Sequence, residues 1–262
     1  MILLPTHYNM KPPPSARLIT GHPLGDIAAG FFFDERCGLT AYDTGENRND
    51  GAFTGNAAWA DGKTGRSIYL NGGTDGIATT WIPKADSSVS IWIKPMSNIG
   101  TLGIWSAGLN GHRELMIYNG RYNFFGSGYD LFPAAAAVNI GVWDNVTCVC
   151  SESGDYARLY LNGELLGEDL NINAAVLGTF HIGFKIRIPL EAYYDHCLCY
   201  DRAICESEVK KLFYEPFCML FRRGQPVAFD TGAPPPVTAS VFGSLVSDYE
   251  FIKYNEGIFA EV

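Results

Sequence analysis

Several groups of residues in this chain could do chemistry. Two Cys-x-Cys pairs, Cys148/Cys150 and Cys197/Cys199, offer thiolates to a zinc ion. Their spacing weighs against it. On a strand, side chains at i and i+2 stand about 6.6 Å apart, whereas two thiolates sharing a tetrahedral zinc with bonds of about 2.3 Å must approach to about 3.8 Å. They are expected to be core-filling thiols, and no metal or cofactor is assigned. Cys197 beside His196 is no nucleophile–base pair either, since strand neighbours point to opposite faces. The run Asp43–Gly51, DTGENRNDG, holds carboxylate and amide oxygens at short spacing, as calcium requires, but lacks the alternating acids and closing Glu of an EF-hand loop. Gly, Asn and Asp at that density are turn chemistry. Finally, Trp105, Asn110, Arg113, Tyr122 and Tyr129 bring rings and polar groups to hairpin loops, the combination that sugar recognition needs. The competing expectation for strand aromatics is a place in the core.

The elements that must position these residues are strands. From Arg66 to Lys94, Ile68 and Leu70, and then Val89, Ile91 and Ile93, alternate with other residues, with Gly/Asp turns between. An aromatic strand at 30–33 precedes this stretch. After it come LGIWSAGLN, HRELMIYNG and RYNFFGSG, with a hairpin turn at Asn119-Gly120, because a type I′ turn wants positive φ at both central positions. VWDNVTCVCSE, the turn Ser153-Gly154-Asp155 and YARLYLNGELL form a second hairpin, turning again at Asn162-Gly163. FHIGFK and EAYYDHCLCYDRAI are further strands. The segment 205–214, CESEVKKLFY, reads as a helix with Val209, Leu212 and Phe213 on one face. About a dozen short strands at near-regular spacing signify an all-β sandwich.

The totals agree. In 262 residues, 47% are apolar and 18% charged, so a sizeable core is available; 29 Gly and 14 Pro suit many turns. The excess of 28 acidic over 19 basic residues argues against nucleic acid as a partner, since neutralising phosphates needs a basic surface. The opening MILLPTHYNMKPPP has no basic n-region or long apolar stretch, and no run suits a membrane span. Seven cysteines, an odd number, then point to free thiols. The expected compartment is a cytosol where the chain is made, in which it stays or which it leaves by a route other than a signal peptide.

Taken in order, these pieces resemble the laminin-G-like jelly roll of the concanavalin A-like lectin and glucanase superfamily. The marks are AYDTGENRNDGAF, SIYLNGGTDGIAT, SVSIWIKP, VWDNVTCVC, ARLYLNGELLG and the closing YYDHCLCYDRAICESEVKKLFYEP. The resemblance covers about 24–216 and implies an antiparallel jelly-roll β-sandwich with one short helix. Asp75 and Asp195 fall where calcium-binding relatives carry acids, though convergence of their oxygens is not readable here. It also raises a glucanase activity. Retaining glycosidases need two carboxyl groups about 5 Å apart, and glucanases of this superfamily set them on one strand as Glu-x-Asp-x-(x)-Glu. The nearest run, Ser151–Asp155, sits at an expected turn, so no catalytic residue is assigned and an enzyme, a diverged glycoside hydrolase, is the least favoured of the functions.

The ends lie outside the resemblance: a Pro-rich arm, 1–23, and an extension, 217–262. The module between such ends resembles laminin-G-like proteins of bacteriophage genomes. The implied function is a non-enzymatic structural or display protein, a capsid decoration or a tail- or fibre-associated component, exposing a lectin-like module and forming a homo-oligomer. Its partners would be copies of itself or other particle proteins, met through Pro12, Pro13 and Pro14 and through the apolar, strand-prone Val241, Phe242, Leu245, Tyr249 and Phe251. The extension could equally fold back on its own sandwich. The alternative function is a module that binds cell-surface glycans.

Overall fold

The computed structural model describes residues 11–12, 16–108, 113–125, 130–131, 137–170, 172, 174–183 and 187–220. Two sheets, antiparallel except for the short strand Ile188–Pro189 beside Thr101–Gly108, face each other across one core. The first contains β1 (Ile27–Phe31), β4 (Ala58–Asp61), β5 (Arg66–Leu70), β7 (Ser87–Pro95), β12 (Asp144–Ser151), β13 (Tyr156–Leu161), β14 (Glu164–Leu170) and β17 (Ala192–Tyr200). The second contains β2 (Thr40–Ala41), β3 (Gly51–Thr54), β6 (Gly76–Ala78), β8 (Thr101–Gly108), β9 (Glu114–Tyr118), β10 (Arg121–Phe125), β11 (Asp130–Leu131), β15 (Leu177–Gly183) and β16 (Ile188–Pro189). The strands that exceed the sequence expectation are mostly pieces of two to four residues, too short to display a period. The one helix among the described residues, α1, is Glu206–Tyr214, as the spacing predicts.

The inward faces follow alternation. Ile68 and Leu70, Val89, Ile91 and Ile93, Leu115 and Ile117, and Phe180 and Ile182 meet between the sheets. Cys148, Cys150, Cys197 and Cys199 lie there too, with burial lifting the thiol of Cys150 to about 12. Asn119-Gly120 and Asn162-Gly163 both take positive φ, as their hairpins require. The Asp43–Gly51 run is an organised turn: one Asp43 carboxylate oxygen accepts the N–H groups of Gly30 and Gly45, and the other that of Asn49.

Outside the first sheet, α1 covers a second apolar cluster. Val209 and Leu212 pack with Leu24, Val149, Tyr160, Leu198 and Tyr200, while Phe213 stacks on Trp92 at 5.6 Å. The helix starts with a capping box in which the Glu208 carboxylate accepts the Cys205 N–H at 2.8 Å. Arg202 clamps this corner, holding Glu208 through both carboxylate oxygens and Asp26 at the start of β1. Packing extends past 24–216: Ala16 and Leu18 join the cluster, Phe217 and Met219 are buried in it, and the Ile19 N–H donates to the Met219 carbonyl. Pro12, expected to meet a partner, is instead buried within the chain.

The arm enters where the first sheet is broken. Strand β17 pairs along one edge with β7, and its other edge is divided: Ala192–Tyr194 pair with β5, and Cys197–Tyr200 with β1. At the junction, His196 takes φ +40° and the register against β7 shifts. This bulge changes the parity, so that Ala192 and Tyr194 before it and Cys197 and Cys199 after it all face the core. The Lys11 ammonium fills the junction against Asp195.

Two outcomes check this account. Replacing Asp43 by Ala strands three backbone donors, two of whose bonds to the carboxylate are fully buried, and should cost about 3 kcal/mol in urea unfolding. In native protein, the exposed Cys37 and Cys205 should react with a thiol reagent promptly; Cys148, Cys150, Cys197 and Cys199 should react only after unfolding.

Candidate carbohydrate-binding face

The residues expected to hold a sugar are not on an open surface. Trp105 is buried, packed against Phe124 and Phe180. Tyr122 is fully buried and donates its hydroxyl to Asp144 at 3.0 Å. Arg113 is 1% exposed; its guanidinium donates to Ser87 Oγ, the Ala85 carbonyl and Glu152, tying the start of β9 to the first sheet. These three therefore correct the expectation. Tyr122 alternates inward along β10 with Phe124, Trp105 follows a register shift in β8, and Arg113 stands just before β9; loop proximity in sequence reveals none of these. Asn110, Tyr129, Pro13, Pro14, Val241, Phe242, Leu245, Tyr249 and Phe251 lie outside the described residues. Asp75 and Asp195 do not converge on one another. Asp75 accepts the N–H groups of Asn56 and Asn71, and Asp195 pairs with Lys11. Among the described residues no three of His, Cys, Asp and Glu gather as metal ligands.

An aromatic row does lie open, on the outer face of the first sheet beyond the end of α1. Alternation turns Tyr69 outward between Ile68 and Leu70, Tyr193 between Ala192 and Tyr194, and Lys94 after Ile93. The register makes them direct neighbours: Tyr69 pairs with Tyr193, and Tyr193 with Lys94. Asp144 faces Ile93, so the same register brings Trp143 beside Lys94. The Tyr69 and Tyr193 rings lie 4.9 Å apart at 40°, and Trp143 is 6.5 Å from Tyr193. All four residues are half-buried. At about 4.8 Å per strand, the row from β5 to β12 spans about 14 Å, long enough for a short oligosaccharide rather than a single ring.

Polar groups fix this surface in place. The Tyr69 hydroxyl donates to Glu191 Oε1 at 2.8 Å, and this bond, followed by burial, lifts the phenol to about 12. The Lys94 ammonium sits 5.4 Å from the centre of the Tyr193 ring. Beside the row, Lys63 lies over Trp92 at 4.2 Å where Phe213 of α1 stacks, so the helix end closes the apolar strip on that side. Val142, next to Trp143 in the chain, and Met96, two residues after Lys94, are 50% and 37% exposed. Chemically, the row offers ring faces to the C–H face of a sugar, with a carboxylate, a phenol and an ammonium at the rim for hydroxyls. Alternation around Ile68 and Ile93 marks Tyr69 and Lys94 as outward in the sequence; what it lacks is the pairing that brings Tyr193 and Trp143 to them.

A family model described as the concanavalin A-like lectin/glucanases superfamily matches residues 73–210, more than half of the chain. No curated protein matches the sequence. Among solved structures, domain 4 of the extracellular arabinanase AbnA from Geobacillus stearothermophilus, in complex with arabinotriose, aligns at TM-score 0.59 and 22% identity over 71% of this chain and 98% of that one. The ligand-binding domain of botulinum neurotoxin serotype D, in complex with N-acetylneuraminic acid, aligns at 0.59 and 17% identity over 73% of this chain and 51% of that one. A sialidase of Trypanosoma rangeli aligns at 0.57 and 14% identity, over 74% and 34%. The chain thus spans about half of the toxin domain and a third of the sialidase. These likenesses concern the fold.

Changing Glu191 to Gln should lower the Tyr69 pKa toward that of an ordinary phenol, since a neutral acceptor no longer opposes phenolate formation. Ultraviolet titration, differenced against Tyr69→Phe, reads it.

Proposed function

The chain belongs to the concanavalin A-like lectin/glucanases superfamily, and on that premise we propose that it is a non-enzymatic carbohydrate-binding module. Its ligand would be a short glycan laid along Tyr69, Tyr193 and Trp143. The observation that carries this is the row itself: aromatic side chains from β5, β17 and the approach to β12, half-exposed on a sheet face that the helix leaves uncovered. A folded domain gains nothing for its own stability by leaving such rings open to water. Glu191, the carboxylate found beside the row among the described residues, is bonded to Tyr69, whereas a retaining hydrolase needs two flanking the bond it breaks. The run Ser151–Asp155 ends β12 and turns, and Glu152 there is held by Arg113 and the Ala175 N–H.

The finer role we propose is display: a phage virion component that presents this face outward, with the part of the extension beyond residue 220 meeting copies of the chain or other particle proteins. The support is in the sequence, an acidic sandwich with a second Pro-rich stretch at 234–236 and an apolar, strand-prone end beyond it. Light scattering of the full chain should then give a closed oligomer; a monomer at all concentrations argues against self-assembly.

Glycan-array binding decides the first proposal. Oligosaccharide hits are expected, weakened about tenfold or more, on the order of 1.4 kcal/mol, by Tyr193→Ala or Trp143→Ala. Leu39→Ala, at a 71% exposed residue whose carbonyl bonds Phe53 of the second sheet, should leave them unchanged. Hits that survive both aromatic substitutions would place the ligand elsewhere.

A further inference from the structure

The Lys11–Asp195 contact has more parts than an ion pair needs. Nζ lies 2.7 Å from Asp195 Oδ1, with the two side chains 2% and 0% exposed. Nζ also donates to the carbonyls of Phe33, at 3.1 Å, and Arg66. Across the carboxyl group, Oδ2 accepts the backbone N–H groups of Lys63 at 3.0 Å and Thr64 at 3.4 Å. Oδ1 accepts the His196 N–H at 2.9 Å and lies 3.3 Å from the His196 ring nitrogen Nε2. These are the components of an acyl-transfer site: an amine, a carboxyl carbon, two donors on the oxygen that would gather negative charge, and an imidazole beside the oxygen that would leave.

We propose that Lys11 and Asp195 condense to an intramolecular isopeptide bond. The proton in the 2.7 Å hydrogen bond moves from Nζ to Oδ1, leaving a neutral amine and a neutral acid. The other two amine protons are held by the Phe33 and Arg66 carbonyls, so the freed lone pair is aimed at the carboxyl group. Nζ bonds to Cγ, and the oxyanion forms on Oδ2 beneath the Lys63 and Thr64 N–H groups. One proton of the new ammonium passes through His196 Nε2 to the Oδ1 hydroxyl. The Cγ–Oδ1 bond then breaks, Oδ1 departs as water, and the amide keeps one N–H for one of the two carbonyls. Atoms and charge balance without a co-reactant.

The surroundings favour this direction. Burial raises Asp195 to about 7, against the pull of Lys11, and lowers Lys11, so the neutral pair is brought within reach. Burial also keeps His196 unprotonated and able to accept. Holding amine and carboxyl in contact replaces a bimolecular encounter, an advantage worth effective molarities of about 10⁵ M or more. The product removes two buried charges. Hydrolysis would need water at a carbon that the chain closes off. A Cβ on Gly62 would come within 2.6 Å of Oδ2, and Phe32 and Phe217 pack on the His196 ring.

Intact mass of the full chain, measured denatured, tests this without any variant. The expected mass is that of the sequence less one water, and a digest should contain a branched peptide joining Lys11 to Asp195. Lys11→Arg and Asp195→Ala should restore the missing water. His196→Gln, a change in the positioning and relay group, should yield freshly made protein with an unlinked fraction that declines over time. An undiminished mass overturns the proposal. So does a water loss that persists in Lys11→Arg or maps elsewhere, such as an Asp61-Gly62 succinimide.

Discussion

The first sheet depends on how the chain resolves a conflict at Asp195 and His196. Strand β17 is the spine of that sheet, with β7 on one edge and both β5 and β1 on the other. Two strands sharing one edge leave a gap where their ladders end, and Lys11 reaches the carbonyls of Phe33 and Arg66 there. A buried acceptor left unbonded costs about 1–3 kcal/mol. Lys11 answers both carbonyls with one group and brings a charge that the Asp195 carboxylate offsets. Losing either partner would leave the other's charge buried, which is far costlier than losing a surface pair. The N-terminal segment is thus joined to the core by electrostatics before any apolar contact is counted.

The same bulge divides the outer face of the sheet. Beyond it, Leu198 and Tyr200 turn outward beneath α1, Phe217 and Met219, and that half is dry. Before it, Tyr193 turns outward where the helix has ended, and that half keeps Tyr69, Lys94 and Trp143 beside it. One strand therefore supplies a structural surface and a recognition surface, separated by a change in parity. Phe213 on Trp92, with Lys63 laid over the same indole, marks the boundary between them.

This parity change also explains what the sequence could and could not disclose. Alternation around Ile68, Leu70, Val89, Ile91 and Ile93 is regular, and the strands, hairpin turns and closing helix follow from it directly. EAYYDHCLCYDRAI offers no such regularity, because its inward residues change from even to odd positions across Asp195-His196. Cys197 and Cys199 were legible as core thiols from zinc geometry alone. Tyr193, by contrast, could not be told from Tyr194, of which one is half-exposed and the other fully buried. Trp105 and Tyr122 failed as sugar contacts for a related reason: proximity to a hairpin loop says nothing about which face a residue takes. Long-range contacts were more opaque still. Lys11 belongs to a segment whose composition, three prolines after a lysine, speaks only of extended backbone.

A surface for glycan and a covalent or ionic fastening of the N-terminal segment make compatible demands on the fold. Stacking rings hold a sugar well only if the strands beneath them do not slip, since a one-residue shift of β17 would exchange Tyr193 for buried Tyr194 and close the row. The register of β17 against β5 and β1 is fixed at the one place where Asp195 meets Lys11 and the Lys63 and Thr64 amides. One residue, Tyr194, separates Asp195 from Tyr193, so the fastening acts two residues along the strand from the recognition surface. The rigidity that sugar binding requires at Tyr193 is therefore supplied by buried polar chemistry at Asp195, two residues along the same face of the same strand, and not by the apolar core alone.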